Sequence, residues 1–116
     1  MAAKRRILIA GNWKMNGLKK DARSLAGALG TKMSKLKSKP EFEMLVCPPA
    51  ALLGPVLDAV KGKGIAVGGQ DCHANEGGAH TGDTSAALLK SMGCKYAIVG
   101  HSERRTDHAE TDAMVK

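Results

Sequence analysis

The chain has 116 residues, a length that suits one ordinary domain. With 43% hydrophobic and 25% charged residues, its composition is that of a soluble globular protein. No stretch approaches the roughly 18 apolar residues of a membrane span, and the apolar run Ile7–Ala10 is too short for a signal peptide. We therefore expect a cytoplasmic protein without a membrane partner.

The net charge of +7 is concentrated in one region. Seven of the basic residues are Lys19, Lys20, Arg23, Lys32, Lys35, Lys37 and Lys39. Such a cluster is typical of nucleic-acid binding or of steering an anionic substrate, or of a solvated helix face and the loop after it. Because no nucleic-acid-binding motif accompanies the cluster, we favour the solvated face and expect no nucleic-acid partner.

The three cysteines, Cys47, Cys72 and Cys94, are odd in number and widely spaced. This pattern does not fit a disulfide framework. It predicts reduced thiols, as in a cytosolic protein.

Apolar runs and helix-periodic segments alternate along the chain. The predicted strands are Ile7–Ala10, Phe42–Cys47, Ile65–Gly69 and Tyr96–Gly100. The predicted helices are 18–36, 50–61 and 86–92, followed at 111–114 by the opening turn of a fourth. Alternating units with right-handed crossovers predict an α/β fold with four parallel strands, in one domain over residues 1–116.

Residues 71–83 interrupt this alternation with a long segment that has no periodicity. Because the helix pattern resumes cleanly afterwards, we interpret the segment as a functional loop. Cys72, His73 and His80 lie in it and raise the alternative of a metal site. Their spacing fits no standard zinc pattern, so we expect no metal.

Polar side chains follow the first and fourth predicted strands directly after a glycine. Asn12 and Lys14 follow Gly11, and His101 and Glu103 follow Gly100. Because α/β enzymes keep their sites at the carboxyl ends of parallel strands, this pattern suggests one site built from several strand ends.

Each of these residues also has a simpler interpretation. Lys14 either binds an anionic group or a developing enolate oxygen, or is a surface lysine. His101 is either catalytic or structural, and Asn12 is either a ligand-binding or a turn residue. Glu103 is either part of the site or the partner of Lys14 or Arg104 in a structural ion pair.

Three motifs in this chain carry a resemblance to a known family. Residues 10–16 (AGNWKMN) and 99–105 (VGHSERR) resemble the two signatures of triosephosphate isomerase. The segment from Gln70-Asp71-Cys72 to His80-Thr81-Gly82-Asp83 resembles that family's long third loop. The motifs occur in the family's order and span the chain nearly end to end.

The resemblance implies the N-terminal half of a (β/α)8 TIM barrel, since a whole barrel takes about 250 residues. It implies interconversion of dihydroxyacetone phosphate and glyceraldehyde 3-phosphate through an enediolate, a step of glycolysis and gluconeogenesis. The family needs no cofactor for this reaction, so we expect none.

The resemblance also implies roles for individual residues. Asn12 and Lys14 would bind the triose phosphate, and His101 would be a neutral electrophile kept neutral by a helix N-terminus at 102–104. Glu103 would be the second carboxylate near the lysine. Thr81 would enter the neighbouring subunit's site, as it does in the family's homodimers.

The sequence departs from the family pattern by what residues 1–116 do not contain. The family's general-base glutamate ends the sixth strand and is followed by a lid, and its phosphate loops follow strands seven and eight. We therefore expect this chain to be inactive alone. We also expect it to self-associate through the 71–83 loop and the open edges of its half-barrel, to pair with the missing half, or to be ordered only in an unusual packing. The alternative is a non-catalytic α/β binding module with a basic surface.

Overall fold

The computed structural model describes residues 4–116, so the first three residues of the predicted domain lie outside the described range. The strands are β1 (Ile7–Asn12), β2 (Phe42–Cys47), β3 (Ile65–Gly69) and β4 (Tyr96–Ala97). The α-helices are α1 (Lys19–Ser34), α2 (Leu53–Val60), α3 (Ala86–Met92), α4 (Ser102–His108) and α5 (Asp112–Val115), and a 3₁₀ turn (Ala50–Leu52) precedes α2.

The four strands form one parallel sheet in the order β1-β2-β3-β4. Each strand therefore lies beside its neighbour in the sequence, and β1 and β4 are the outer strands. The register of the first pair runs from Ile7 opposite Phe42 to Asn12 opposite Cys47. This arrangement confirms the predicted parallel sheet and brings the carboxyl ends of the strands to a common edge.

The predicted bounds of β2 and β3 are confirmed, whereas those of the outer strands are wrong at their carboxyl ends. β1 continues to Asn12 because Gly11 and Asn12 remain in register with β2. β4 ends at Ala97, although the Ile98 N–H still donates to the Gly69 carbonyl at 2.8 Å. Gly100 then turns the chain with φ of +61°, a conformation that glycine adopts without steric cost.

The helices begin and end where local hydrogen bonds favour it. The Ser85 hydroxyl accepts from the Leu88 N–H at the start of α3, and Gly93 ends that helix with φ of +104°. Pro55 lies in the first turn of α2, where a proline is tolerated.

Among the described residues, no helix is long and apolar enough to cross a membrane.

One helix was not predicted beyond its first turn. The chain forms α4 over Ser102–His108, so the helix that begins after Thr111 is the fifth and not the fourth. The opening turn predicted at 111–114 is confirmed as the start of α5, which Thr111 caps, since its hydroxyl accepts from the Met114 N–H at 3.3 Å.

The core lies between the sheet and the first two helices. Its buried side chains include Ala22, Ala26, Val46, Leu53, Val56, Val60 and Val67. The outer strand β1 is not covered in this way, since Ile7 is 60% exposed and Ile9 is 50% exposed. Apolar burial is therefore concentrated on the helix side of the two central strands.

The close contact between β3 and β4 depends on Gly68. A Cβ added there would lie 2.9 Å from the Tyr96 carbonyl oxygen and 3.1 Å from the Cys47 sulfur. Gly68→Ala should therefore lower the free energy of unfolding by about 1–3 kcal/mol, the usual cost of overpacking. Chemical denaturation measures this. Gly77→Ala is the matched control, because nothing lies within 4 Å of that added carbon, and equal losses in both variants would contradict the prediction.

Candidate active site

The edge of the sheet where the strands end carries a cleft of about 290 Å³. Its lining includes Asn12 at the end of β1, Lys14 shortly after it, Gln70 after β3, and His101 and Glu103 after β4. The fold thus brings together the four side chains that the sequence suggested for one site. It also adds a fifth residue, Gln70, which the sequence analysis did not select.

Lys14 adopts an unusual backbone conformation at this edge. Its φ of +56° is in the left-handed region, which costs a residue with a side chain about 1–2 kcal/mol. Its N–H donates to the Asn12 side-chain oxygen at 2.9 Å, and its carbonyl accepts from the Gln70 side-chain amide at 2.8 Å. Hydrogen bonds on both sides of the residue therefore stabilise the strained backbone.

The Lys14 ammonium lies 2.7 Å from the Glu103 carboxylate, and both side chains are about half exposed. The hydrogen bond from this ammonium lowers the pKa of the Glu103 carboxyl. Glu103 is thus an ionised partner of Lys14 and does not pair with Arg104, which settles the partner that the sequence left open.

His101 is the N-cap residue of α4. Its Nδ1 accepts a hydrogen bond of 3.0 Å from the Glu103 backbone N–H. Because that nitrogen uses its lone pair, the neutral imidazole carries its proton on Nε2, which is then a hydrogen-bond donor. The Glu103 carboxylate lies 3.6 Å from Nδ1, and with Nδ1 as an acceptor this approach is not an ion pair.

Arg104 fixes α4 against the loop that follows β3. Its Nε lies 3.1 Å from the Asp71 carboxylate and 2.8 Å from that of Glu110. The three side chains are each at most about one quarter exposed. The contacts connect the strand ends that carry Gln70 and His101, and so support the geometry of the cleft.

Thr81 is not brought to this cleft. It is exposed in the 71–83 loop and is absent from the residues that line the site. The loop itself has no regular structure apart from a single bridge between His73 and Ser85, which agrees with its lack of periodicity in the sequence.

The histidines of this loop form a cluster with Asp83 rather than with Cys72. The possible ligand atoms of His73, His80 and Asp83 lie within 4.8 Å of one another. His73 Nδ1 accepts from the Asn75 backbone N–H, and His80 Nε2 shares a hydrogen bond with the Asn75 side chain, both at 2.9 Å. A metal on His73 Nε2 would require a proton on Nδ1, which the Asn75 N–H opposes. The cluster is therefore better suited to holding the loop together than to binding a metal.

Gln70 is a residue of the cleft that the sequence analysis did not select. Its side-chain amide donates to the carbonyls of Lys14 and Cys47, each at 2.8 Å. The sequence signal that could have identified Gln70 is its position. It directly follows the predicted strand Ile65–Gly69, much as Asn12 closely follows the predicted strand Ile7–Ala10.

A comparison with known families identifies the chain. The sequence model of triosephosphate isomerase matches residues 7–116. The chain belongs to the triosephosphate isomerase family. This confirms the family that the motifs at both strand ends suggested.

Individual relatives agree with this family assignment. The triosephosphate isomerase of Afipia carboxidovorans is 53% identical over 116 residues, covering 100% of this chain and 45% of that protein. That of Xanthobacter autotrophicus is 50% identical over 115 residues, covering 99% of this chain and 44% of that protein. The chain thus spans less than half the length of these relatives.

A solved structure matches the fold. The crystal structure of triosephosphate isomerase from Bartonella henselae superimposes with a TM-score of 0.80 and 44% identity, over 95% of this chain and 44% of that one. The four parallel strands and their helices correspond to the N-terminal half of a TIM barrel, as the resemblance implied.

The ion pair in the cleft predicts a titration. Lys14→Met should raise the pKa of the Glu103 carboxyl towards that of an ordinary glutamate, because the hydrogen bond that lowers it is removed. A carbon-detected NMR titration of the side chain measures this. Lys19→Met, on the exposed start of α1, is the control and should leave the titration unchanged.

The ion pair between Lys14 and Glu103 also predicts the direction in which pH changes the stability of the fold. The pKa of Glu103 is lower in the folded chain than in the unfolded chain. The ionised carboxylate therefore stabilises the fold fully above the unfolded-state pKa, and this stabilisation is lost as pH falls through the folded-state pKa. Acidification through this window should therefore destabilise the wild type more than Lys14→Met. Parallel losses in both would contradict the pairing.

Proposed function

We propose that this chain supplies the electrophilic and substrate-binding side of a triosephosphate isomerase site. The substrates are dihydroxyacetone phosphate and glyceraldehyde 3-phosphate. The observation that carries the proposal is the convergence of the Lys14 ammonium and the His101 imidazole on one cleft. Asn12 lines the same cleft and is proposed to contact the substrate.

The chemistry follows from where charge develops in the reaction. Removing a proton from the carbon next to a carbonyl places negative charge on the oxygens of an enediolate. Lys14 offers a fixed positive charge, and His101 Nε2–H offers a neutral donor, the two kinds of group that stabilise such an oxyanion. This family is a standard example of a neutral imidazole used in that way. Only protons move in these steps, so we propose no cofactor.

Glu103 is proposed to orient the lysine rather than to take the proton. Its carboxylate already accepts a hydrogen bond from the Lys14 ammonium at 2.7 Å, and its backbone N–H fixes His101. One residue therefore sets the position of the ammonium and the tautomer of the imidazole. The general base is proposed to come from the part of the family's barrel that these residues do not match.

Residues 1–116 are proposed to form a single partial barrel domain without turnover of their own. By the resemblance, the base, the lid and the phosphate loops belong to strands six to eight, whereas the chain spans less than half of its relatives. Absence of a general base alone typically costs about 10²–10⁴-fold in rate.

We also propose that the chain forms homo-oligomers. The exposed apolar strand β1 is one open edge, and an open cavity of about 620 Å³ at the other edge is lined by residues of α3 and β4. Unpaired strand edges and exposed apolar surface favour association. The 71–83 loop is the second proposed contact, with Thr81 entering the neighbouring subunit.

A cytoplasmic location is proposed from the thiols. All three cysteines are free, and burial raises the pKa of the Cys47 and Cys94 thiols, which makes them poor nucleophiles.

The seven basic side chains between residues 19 and 39 are all exposed. Exposure alone suits either interpretation of this cluster. Because the polar side chains at the strand ends converge on the cleft instead, we propose that the cluster is a solvated face and not the surface of a binding module.

A coupled isomerase assay tests the proposed function. The 116-residue chain should show no turnover alone and should gain it when mixed with the remaining half of a close relative, made separately. Lys14→Ala should abolish the recovered activity, because it removes the ammonium that is proposed to stabilise the enediolate. Activity of the short chain alone would show that one of its own residues takes the proton, and Glu103→Gln would then be the first variant to assay.

Sedimentation measurements over a concentration series test the proposed association. Ile7→Lys combined with Ile9→Lys should shift the chain towards the monomer, because charges on an open strand oppose pairing. Leu25→Lys is the matched control, since Leu25 is 49% exposed but lies on α1 rather than on an edge strand. A wild-type chain that stays monomeric at the highest concentration would overturn the proposal.

A further inference from the structure

The side chain of Gln70 connects three strands at the edge that carries the cleft. It follows β3 directly and donates to the carbonyls of Cys47, the last residue of β2, and of Lys14, two residues after β1. Both distances are 2.8 Å. A primary amide has two N–H donors on one nitrogen, so this one nitrogen can serve both carbonyls at once.

The segment that leaves β1 is held by several such bonds. The Trp13 N–H donates to the same Cys47 carbonyl at 3.0 Å, which extends the pairing of β1 with β2 by one residue. Asn12 then holds the Lys14 N–H, and Gln70 holds its carbonyl. A strained backbone conformation persists only where its surroundings fix it in this way.

We propose that Gln70 is a positioning residue for Lys14. By holding the Lys14 carbonyl, it keeps the backbone in the left-handed conformation from which the ammonium reaches Glu103 and the cleft. The flexible stem of a lysine allows many directions, so the backbone at its root decides which of them are within reach. The inference rests on the proposed role of Lys14 in the reaction, but the position of Lys14 is measurable without turnover.

The role requires a donor rather than a side chain of a given shape. Methionine has a similar length and no donor, and glutamate has the same shape but offers only acceptors when ionised. Either would leave the Lys14 carbonyl without its partner. Both Gln70→Met and Gln70→Glu should therefore release the backbone of Lys14.

The test is hydrogen exchange and NMR titration on the 116-residue chain. In Gln70→Met and Gln70→Glu, the Lys14 amide should exchange faster by about fivefold, the factor that corresponds to losing one hydrogen bond of ordinary net strength. In Gln70→Met, the pKa of Glu103 should also rise towards its value in Lys14→Met. Gln70→Glu is judged by exchange only, since its new charge would itself affect the titration.

Ser34→Ala is the matched control. The Ser34 hydroxyl bonds the carbonyls of Gly30 at 2.9 Å and Thr31 at 3.1 Å within α1, so this variant also loses two side-chain contacts to carbonyls. It should leave the exchange of Lys14 and the titration of Glu103 unchanged. A merely structural role of Gln70 would make the Gln70 variants behave like this control, and that result would overturn the inference.

The wild-type chain provides a measurement that does not depend on a folded variant. Both Nε2 protons of Gln70 should exchange more slowly than those of an exposed glutamine or asparagine, because each is held by a carbonyl. Free exchange of either proton would overturn the inference. If the assay with the remaining half of a relative fails while Lys14 responds to Gln70, the proposed function falls and the positioning role stands.

Discussion

The parallel direction of the four strands is the constraint on which the rest of this structure depends. It brings all the carboxyl ends to one edge, so residues far apart in the sequence become neighbours. Lys14 and Glu103 are separated by most of the chain and yet form a contact of 2.7 Å. An antiparallel arrangement would place successive strand ends at opposite edges, and no such cleft would form.

The cleft combines a charged hydrogen-bond donor, the Lys14 ammonium, with a neutral donor, the His101 imidazole. Glu103 contacts both groups. Its side chain receives the Lys14 ammonium, and its backbone N–H occupies His101 Nδ1. Because ion pairs between exposed side chains are weak, the half-exposed contact of Lys14 can rearrange when an anionic group enters. The imidazole is held differently, since His101 is the N-cap of α4 and its Nδ1 accepts from the Glu103 backbone N–H.

The sequence predicted those parts of the fold that a local pattern encodes. β2 and β3 are apolar runs with clear ends, and their bounds were correct. α4 was missed beyond its first turn because none of its residues is buried, so it has no apolar stripe to recognise. β4 was predicted too long because its apolar run continues after the ladder with β3 has ended. Gln70 was missed because its partners are 23 and 56 residues away.

In the part of the chain that the structure describes, the segment that carries Lys14 is held by hydrogen bonds from the β2 side of β1, and no strand pairs with the other edge of β1. β1 is an outer strand that pairs with β2 alone, and its apolar side chains remain exposed. The bonds from β2 and β3, through the Cys47 carbonyl and the Gln70 amide, therefore supply the backbone contacts that hold the segment after β1. Covering the free edge of β1 would restrict that strand further. The geometry of this half of the site is thus coupled to whatever pairs with the open edge of β1, because the segment that carries Lys14 leaves directly from that outer strand.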